Sequence, residues 1–168
     1  MHTLTLIASL ALTFHIEHFE NEMCPIIFCG DLNSHPNSGV MKLLLDRRLC
    51  KKNGKTWHHL CTYEWEEGAV TNKGDDKKGG LKDIEAIDLE FPPQFPNLMS
   101  AYKDCPPDFT HYIEQFICTL DYILVTDNFE VERVGGTPTR EDVEKYVAMP
   151  NECMPSDHVS LVCDLKWR

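Results

Sequence analysis

The sequence has no Cys-x-x-Cys pair, no internal repeat and no low-complexity tract. No apolar run reaches the ~18 residues of a membrane span, so no membrane association is expected. Basic residues are scarce: 16 Lys and Arg stand against 27 Asp and Glu, a formal net charge of −11. That deficit argues against a broad electrostatic grip on nucleic acid, which needs a basic surface to displace counterions. It leaves a phosphodiester substrate open, because an acidic cluster around a divalent cation presents inverted charge to a phosphate. With no Cys-x-x-Cys pair and several cysteines inside apolar runs, the eight cysteines read as buried free thiols rather than a disulfide framework. His58, His59 and Cys61 are close in sequence but lack the second ligand pair of a zinc site.

What is present describes one domain. The chain has 168 residues, 42% of them apolar and 26% charged, enough for one sizeable core. The first sixteen residues are apolar, yet no Lys or Arg precedes them and no small-residue cleavage site follows, so a helix over residues 3–19 is expected rather than a leader. His15 and His18 fall on adjacent turns of it.

The central stretch is Cys24 to Ser34, an apolar run broken at Gly30 and ending in Asp31-Leu32-Asn33. It reads as a buried strand over 25–30 whose period of two puts Asp31 and Asn33 on one face and Leu32 in the core. An Asp-x-Asn turn that merely stops the strand is the alternative. Turn residues 34–39 then lead into a helix at Val40–Leu45, ending among Asp46, Arg47 and Arg48. Arg47, Arg48, Lys51, Lys52 and Lys55 form a basic cluster, read as a solvated helix end. Residues 66–96 mix charge, glycine and proline without periodicity and are expected to be a flexible loop, extended at Phe91–Pro96. Order resumes at Leu98–Tyr102. Strands are expected at Phe116–Val125, at Phe129–Val134 with its apolar residues on one face, and at Val159–Leu165, with a capped helix from Thr139.

Three polar insertions interrupt apolar strands: Asp31 with Asn33, Asp121, and Asp157 with His158. Unpaired buried carboxylates are costly, so three of them near strand ends call for mutual partners or a cation.

At these residues the sequence resembles the endonuclease/exonuclease/phosphatase family, the deoxyribonuclease I-like phosphodiesterases. Gly30-Asp31-Leu32-Asn33-Ser34, Leu120-Asp121-Tyr122-Ile123 and Ser156-Asp157-His158 are similar to three of its signatures in the family's order. Leu98–Tyr102 and Phe109-Thr110-His111-Tyr112 are similar to weaker ones. The ending Pro155 to Trp167 is most similar to members that cleave 2′,5′-linked oligoadenylate or remove poly(A).

The resemblance implies an α/β fold, specifically the C-terminal half of a two-sheet α/β/β/α sandwich, with residues 1–168 forming part of one catalytic domain. It implies a Mg2+-dependent phosphodiesterase or 3′-exoribonuclease, with Mn2+ as a substitute, acting on RNA or oligoadenylate without a stable protein partner. Asp31 would orient or deprotonate water and Asn33 would hold the phosphate. His158 would stabilise phosphoryl charge, oriented by Asp121. Asp31, Asn33 and Asp157 would serve the metal, while Asn33, Thr110 and His111 would meet substrate. The implied compartment is the mitochondrial matrix, with the cytoplasm as the alternative.

Two positions depart from the pattern: His111 stands where the family usually has Asn, and Cys118 where it has Gly. The family domain is also about twice this length, with a metal-binding Glu and a further His in its first half. This chain alone is therefore expected to expose an apolar sheet face and to turn over little substrate. A non-catalytic remnant, or another deadenylase of the family, is the alternative.

Overall fold

The computed structural model describes residues 25–52, 88–93 and 95–168. The expected helix over 3–19 with its two histidines, the group His58, His59 and Cys61, and residues 66–87 of the expected loop lie outside the described residues.

The central sheet has the order β1–β7–β4, formed by Ile27–Asp31, Asp121–Thr126 and Leu98–Ser100 and antiparallel throughout. Backbone bonds extend the β1–β7 ladder at both ends: Leu32 N–H donates to Leu120 O (2.9 Å) and Thr126 N–H to Ile26 O (3.0 Å). Among the described strands β1 is an edge, and this corrects the expectation of a buried strand: Cys29, Gly30 and Asp31 are exposed and Ile27 is 50% exposed. An apolar sequence marks a strand, but which of its two faces is covered depends on what packs against it.

Helix α1 (Gly39–Asp46) packs on one face of this sheet. Ser38 caps it, its hydroxyl accepting from Met41 N–H (3.3 Å). Val40, Met41 and Leu44 meet Ile26, Leu98, Tyr122 and Leu124 in the main core. Leu124 is fully buried, so Leu124→Ala there would cost about 2–5 kcal/mol.

The helix ends at Arg47 in the left-handed region (φ 61°). Its guanidinium is not a solvated cation as expected: it donates to Pro92 O (2.9 Å), Pro93 O (3.1 Å) and Asn97 Oδ1 (3.1 Å). That fastening corrects the end of the expected loop. Strand β3 (Leu89–Glu90) pairs with β2 (Arg48–Leu49), and Phe91 stacks on the buried Phe95 at 4.0 Å between centroids. Phe95 N–H reaches back to Pro92 O (2.9 Å), so the chain folds back at Pro92 where an extended course was expected.

The expected long strand at Phe116–Val125 is two strands, because the chain turns at Thr119–Leu120. Strand β6 (Phe116–Cys118) closes a hairpin with β5 (His111–Ile113), and β7 then joins the main sheet. Under the hairpin a second core gathers Phe109, Tyr112, Val143 and Met149. Val143 comes from helix α2 (Arg140–Glu144), whose capping box at Thr139 and Asp142 forms as expected.

Strand β8 (Phe129–Val134) pairs with β9 (Cys163–Trp167). A bulge between Val131 and Arg133 breaks its expected clean alternation. The closing strand begins four residues later than expected. Residues 159–162 instead satisfy their backbone on other elements: Val159 N–H donates to Thr110 O (2.7 Å) and Val162 O accepts from Gly135 N–H (2.7 Å). Gly135 suits that approach, since a Cβ there would lie 3.2 Å from Val162 Cβ. Tyr102 Oη accepts from Val162 N–H (2.9 Å) and so ties the turn after β4 to the same segment.

The six described cysteines are free, but only Cys118 is buried; Cys29, Cys105 and Cys153 are exposed, which corrects the expectation of buried thiols. No described helix is long and apolar enough to cross a membrane.

Candidate active site

The β1–β7 register sets Asp31 directly opposite Asp121. Direct antiparallel partners share a face with Cβ atoms about 4.5–5.5 Å apart, so the two carboxylates sit side by side at one end of the sheet. Like charges so placed repel unless other groups answer them, and each has an answering group of its own.

For Asp31 that group is Asn33. The strand ends at Asp31 and Asn33 turns into the left-handed region (φ 47°), where Asn is tolerated because its short side chain bonds locally. Its backbone N–H donates to Asp31 Oδ1 (2.7 Å) and its Nδ2 to Asp31 Oδ2 (3.0 Å). The two side chains therefore come together through an Asx turn rather than through strand alternation. Gly30, at φ 152°, precedes the pair in a conformation that side-chain-bearing residues rarely adopt.

For Asp121 the answering group is His158, whose Nδ1 lies 2.7 Å from Asp121 Oδ2. Both are partly buried, the His158 side chain 29% exposed and that of Asp121 20%. The His158 backbone is held by the Ser156 hydroxyl (3.1 Å) and bridges antiparallel to His111. His111 Nε2 lies 3.5 Å from Asp157 Oδ2, and its ring meets that of His158 at 4.7 Å between centroids.

Thr110, expected to meet substrate, is fully buried in the structure. Its hydroxyl accepts from Leu120 N–H (2.8 Å) and Asp121 N–H (3.0 Å), holding the turn that delivers Asp121.

Tyr122 is the positioning residue that reasoning from sequence missed. Its hydroxyl donates to Ser34 O (2.6 Å), clamping the loop just past Asn33 against β7. Burial, with the nearby Cys118, Asp121 and Asp31, pushes its phenol well above the usual tyrosine range, so it stays a donor. The signal was available: period two places Tyr122 opposite in face to Asp121, beneath the loop that Asp31 enters.

Residues 6–158 match the Endonuclease/Exonuclease/phosphatase family, and the chain belongs to it. Among curated proteins, 2′,5′-phosphodiesterase 12 of Rattus norvegicus is 30% identical over 97% of this chain and 23% of its own length. The Homo sapiens protein of that name is 30% identical over 92% of this chain and 22% of its own. A CCR4-Not complex 3′-5′-exoribonuclease subunit Ccr4 from Aspergillus clavatus is 23% identical over 89% of this chain. The chain thus spans under a quarter of the length of the curated relatives named here. The crystal structure of ANGEL2, a 2′,3′-cyclic phosphatase, in complex with adenosine-2′,3′-vanadate superposes with a TM-score of 0.65 at 19% identity, over 92% of this chain and 48% of that one. The fold is accordingly the α/β sandwich of this family.

Members of the family generally depend on a divalent cation, and the oxygen donors around Asp31 fit one. Asp31 offers carboxylate oxygens, and Asn33, with Nδ2 committed to Asp31, offers its carboxamide oxygen. One or two such oxygens suit Mg2+ or Mn2+, which keeps several waters and completes its shell with substrate phosphate. Asp157 stands next to His158 and is half exposed.

Proposed function

We propose that the protein acts as a divalent-metal-dependent phosphodiesterase on RNA or oligoadenylate, with Asp31, Asn33, Asp121 and His158 as its catalytic residues. The observation that carries this reading is the Asp121–His158 contact of 2.7 Å, on a residue whose strand partner is Asp31. An acid–base pair oriented by hydrogen bonding stands directly across from a carboxylate and a carboxamide, which is what in-line attack of water on a phosphodiester requires.

Asp31 orients the attacking water and accepts its proton as the P–O bond to the leaving oxygen breaks. Asn33 spends one Nδ2 proton on Asp31 and has a second for a phosphoryl oxygen. Asp121 fixes the His158 ring through Nδ1, so that Nε2 is the ring atom presented to the charge growing on the phosphoryl oxygens. Mg2+, or Mn2+ in its place, held by Asp31 and Asn33 with Asp157 at or just behind it, would neutralise phosphoryl charge and acidify water. The names of the curated relatives, a 2′,5′-phosphodiesterase and a 3′-5′-exoribonuclease, support a 2′,5′-linked or RNA phosphodiester as substrate, which we read as oligoadenylate or poly(A) attacked from the 3′ end.

A second reading, a remnant that binds without cutting, is favoured by one observation. Among the described residues Asp31 belongs to no set of three His, Cys, Asp or Glu ligand atoms. The two readings separate in one assay: release of adenylate from short 2′,5′- and 3′,5′-linked oligoadenylates. The chain alone should not exceed its Asp31→Ala variant. The rat relative carrying this chain in place of its matching segment should exceed it, and no turnover there would favour the remnant. The mitochondrial matrix belongs to the same proposal, and fractionation that recovers the protein in the cytoplasm would overturn it.

A further inference from the structure

We infer that His111 is a positioning residue whose ring, acting as an aromatic wall rather than as a polar or titrating group, holds the His158 imidazole in its working orientation. The consequence for turnover rests on the phosphodiesterase reading; the contact itself does not.

The backbone sets that contact. Tyr112 N–H donates to Asp157 O (3.1 Å) and Val159 N–H to Thr110 O (2.7 Å), so His111 and His158 face each other between these two bonds. This is the non-hydrogen-bonded position of an antiparallel pair, where opposed side chains come closest. The Thr110 hydroxyl on the same short stretch holds Asp121 N–H, so residues 110–112 place His111, His158 and Asp121 relative to one another.

The polar atoms of His111 do little. Nδ1 is buried with no hydrogen-bond partner, and Nε2 reaches Asp157 Oδ2 only at 3.5 Å, too long for a good hydrogen bond. The ring itself is well engaged. It meets the His158 ring edge to face at 4.7 Å and 68°, and lies against Phe116 at 5.3 Å and 54°, both within the range of favourable aromatic pairs. With its side chain 10% exposed, it offers substrate little surface.

His158 needs such a wall. Its Nδ1 contact with Asp121 fixes one atom, but the χ2 torsion of an imidazole is broad, and the ring could rock about that contact. The His111 ring closes one side of the swing and steadies Nε2. Asparagine, which the family usually has at this position, brings no ring. The unpaired Nδ1 is a cost that a buried phenyl would not carry.

Two substitutions separate the ring from its polarity. His111→Phe keeps the wall and removes the orphaned nitrogen, whereas His111→Asn keeps a polar group and removes the wall. In the full chain with 15N-labelled histidine, the His158 Nδ1–H signal should survive in His111→Phe and be lost to solvent exchange in His111→Asn. His111→Phe should also melt no lower than wild type, and a lower melt would overturn the claim that the nitrogens do little. In the rat relative carrying this chain in place of its matching segment, His111→Asn should lower kcat by up to about 10²-fold with KM little changed, and His111→Phe should recover most of that loss. Signal and kcat lost in both variants, or in neither, would overturn the inference. Should His111→Asn not fold, His111→Phe decides alone, because it must keep the signal. If the exchanged wild type is itself inactive, the phosphodiesterase reading fails, while the ring signal still decides the role of His111.

Discussion

Replacing Tyr122 with phenylalanine removes one hydroxyl and keeps the ring, so it isolates the clamp beneath the Asp31–Asn33 loop. The hydroxyl lies 2.6 Å from Ser34 O, and Ser34 is only 5% exposed. Without it a buried carbonyl loses its donor, a cost of about 1–3 kcal/mol. With a urea dependence of about 1–3 kcal/mol per molar, the unfolding midpoint should fall by roughly 1 M. The substitution should also alter the alkaline limb. Burial raises the Tyr122 pKa in the folded state, so its contribution is fully present below the unfolded value of about 10 and is lost as pH rises above it. Tyr122→Phe should therefore unfold with a shallower pH dependence above about pH 10 than wild type. Urea titrations followed by tryptophan fluorescence at neutral and alkaline pH measure both effects. An unchanged midpoint together with an unchanged alkaline slope would refute the clamp.

Other substitutions probe the elements around it. Thr110→Val should lower stability by about 2–4 kcal/mol, because two buried N–H donors at Leu120 and Asp121 lose their acceptor, and Thr110→Ser should recover most of it in the same urea titration. Asp31→Asn should lower the melting temperature slightly, because the bond from Asn33 Nδ2, worth about 0.5–1.5 kcal/mol, is lost and the relieved repulsion from Asp121 offsets it only in part; a higher melting temperature would contradict the Asp31–Asn33 turn. Burial pushes the Cys118 thiol up to about 11. Iodoacetamide at neutral pH should therefore label Cys29, Cys105 and Cys153 well before Cys118, as peptide mapping would show.

Much of this arrangement was legible in the residues. Thr139 marked a helix start because a capping hydroxyl answers a backbone donor only a few residues away. Asp31, Asn33, Asp121 and His158 stood out because polar groups ending apolar strands need partners, and the structure pairs Asn33 with Asp31 and His158 with Asp121. Features that depend on distant segments were not legible. β3 was hidden in a stretch without periodicity because two residues suffice when Arg47 fastens the following turn from elsewhere in the chain. The positioning role of Thr110 was not legible either, because nothing local reveals that its hydroxyl caps a turn ten residues on. The exposure of β1 and of half the described cysteines likewise depends on which neighbours cover them, which no local pattern records.

The central claim is that Asp31, Asn33, Asp121 and His158 work as one hydrolytic site. The most direct measurement is adenylate release from 2′,5′- and 3′,5′-linked oligoadenylates by the rat 2′,5′-phosphodiesterase 12 whose matching segment is exchanged for this chain. With Mg2+ or Mn2+ supplied, the exchanged enzyme should turn over. Asp31→Ala should abolish turnover, and Asp121→Asn should lower it by about 10²–10⁴-fold with an unchanged melt, since His158 loses its orienting acceptor. A folded exchange protein that is inactive, or one whose activity survives Asp121→Asn, would contradict the account.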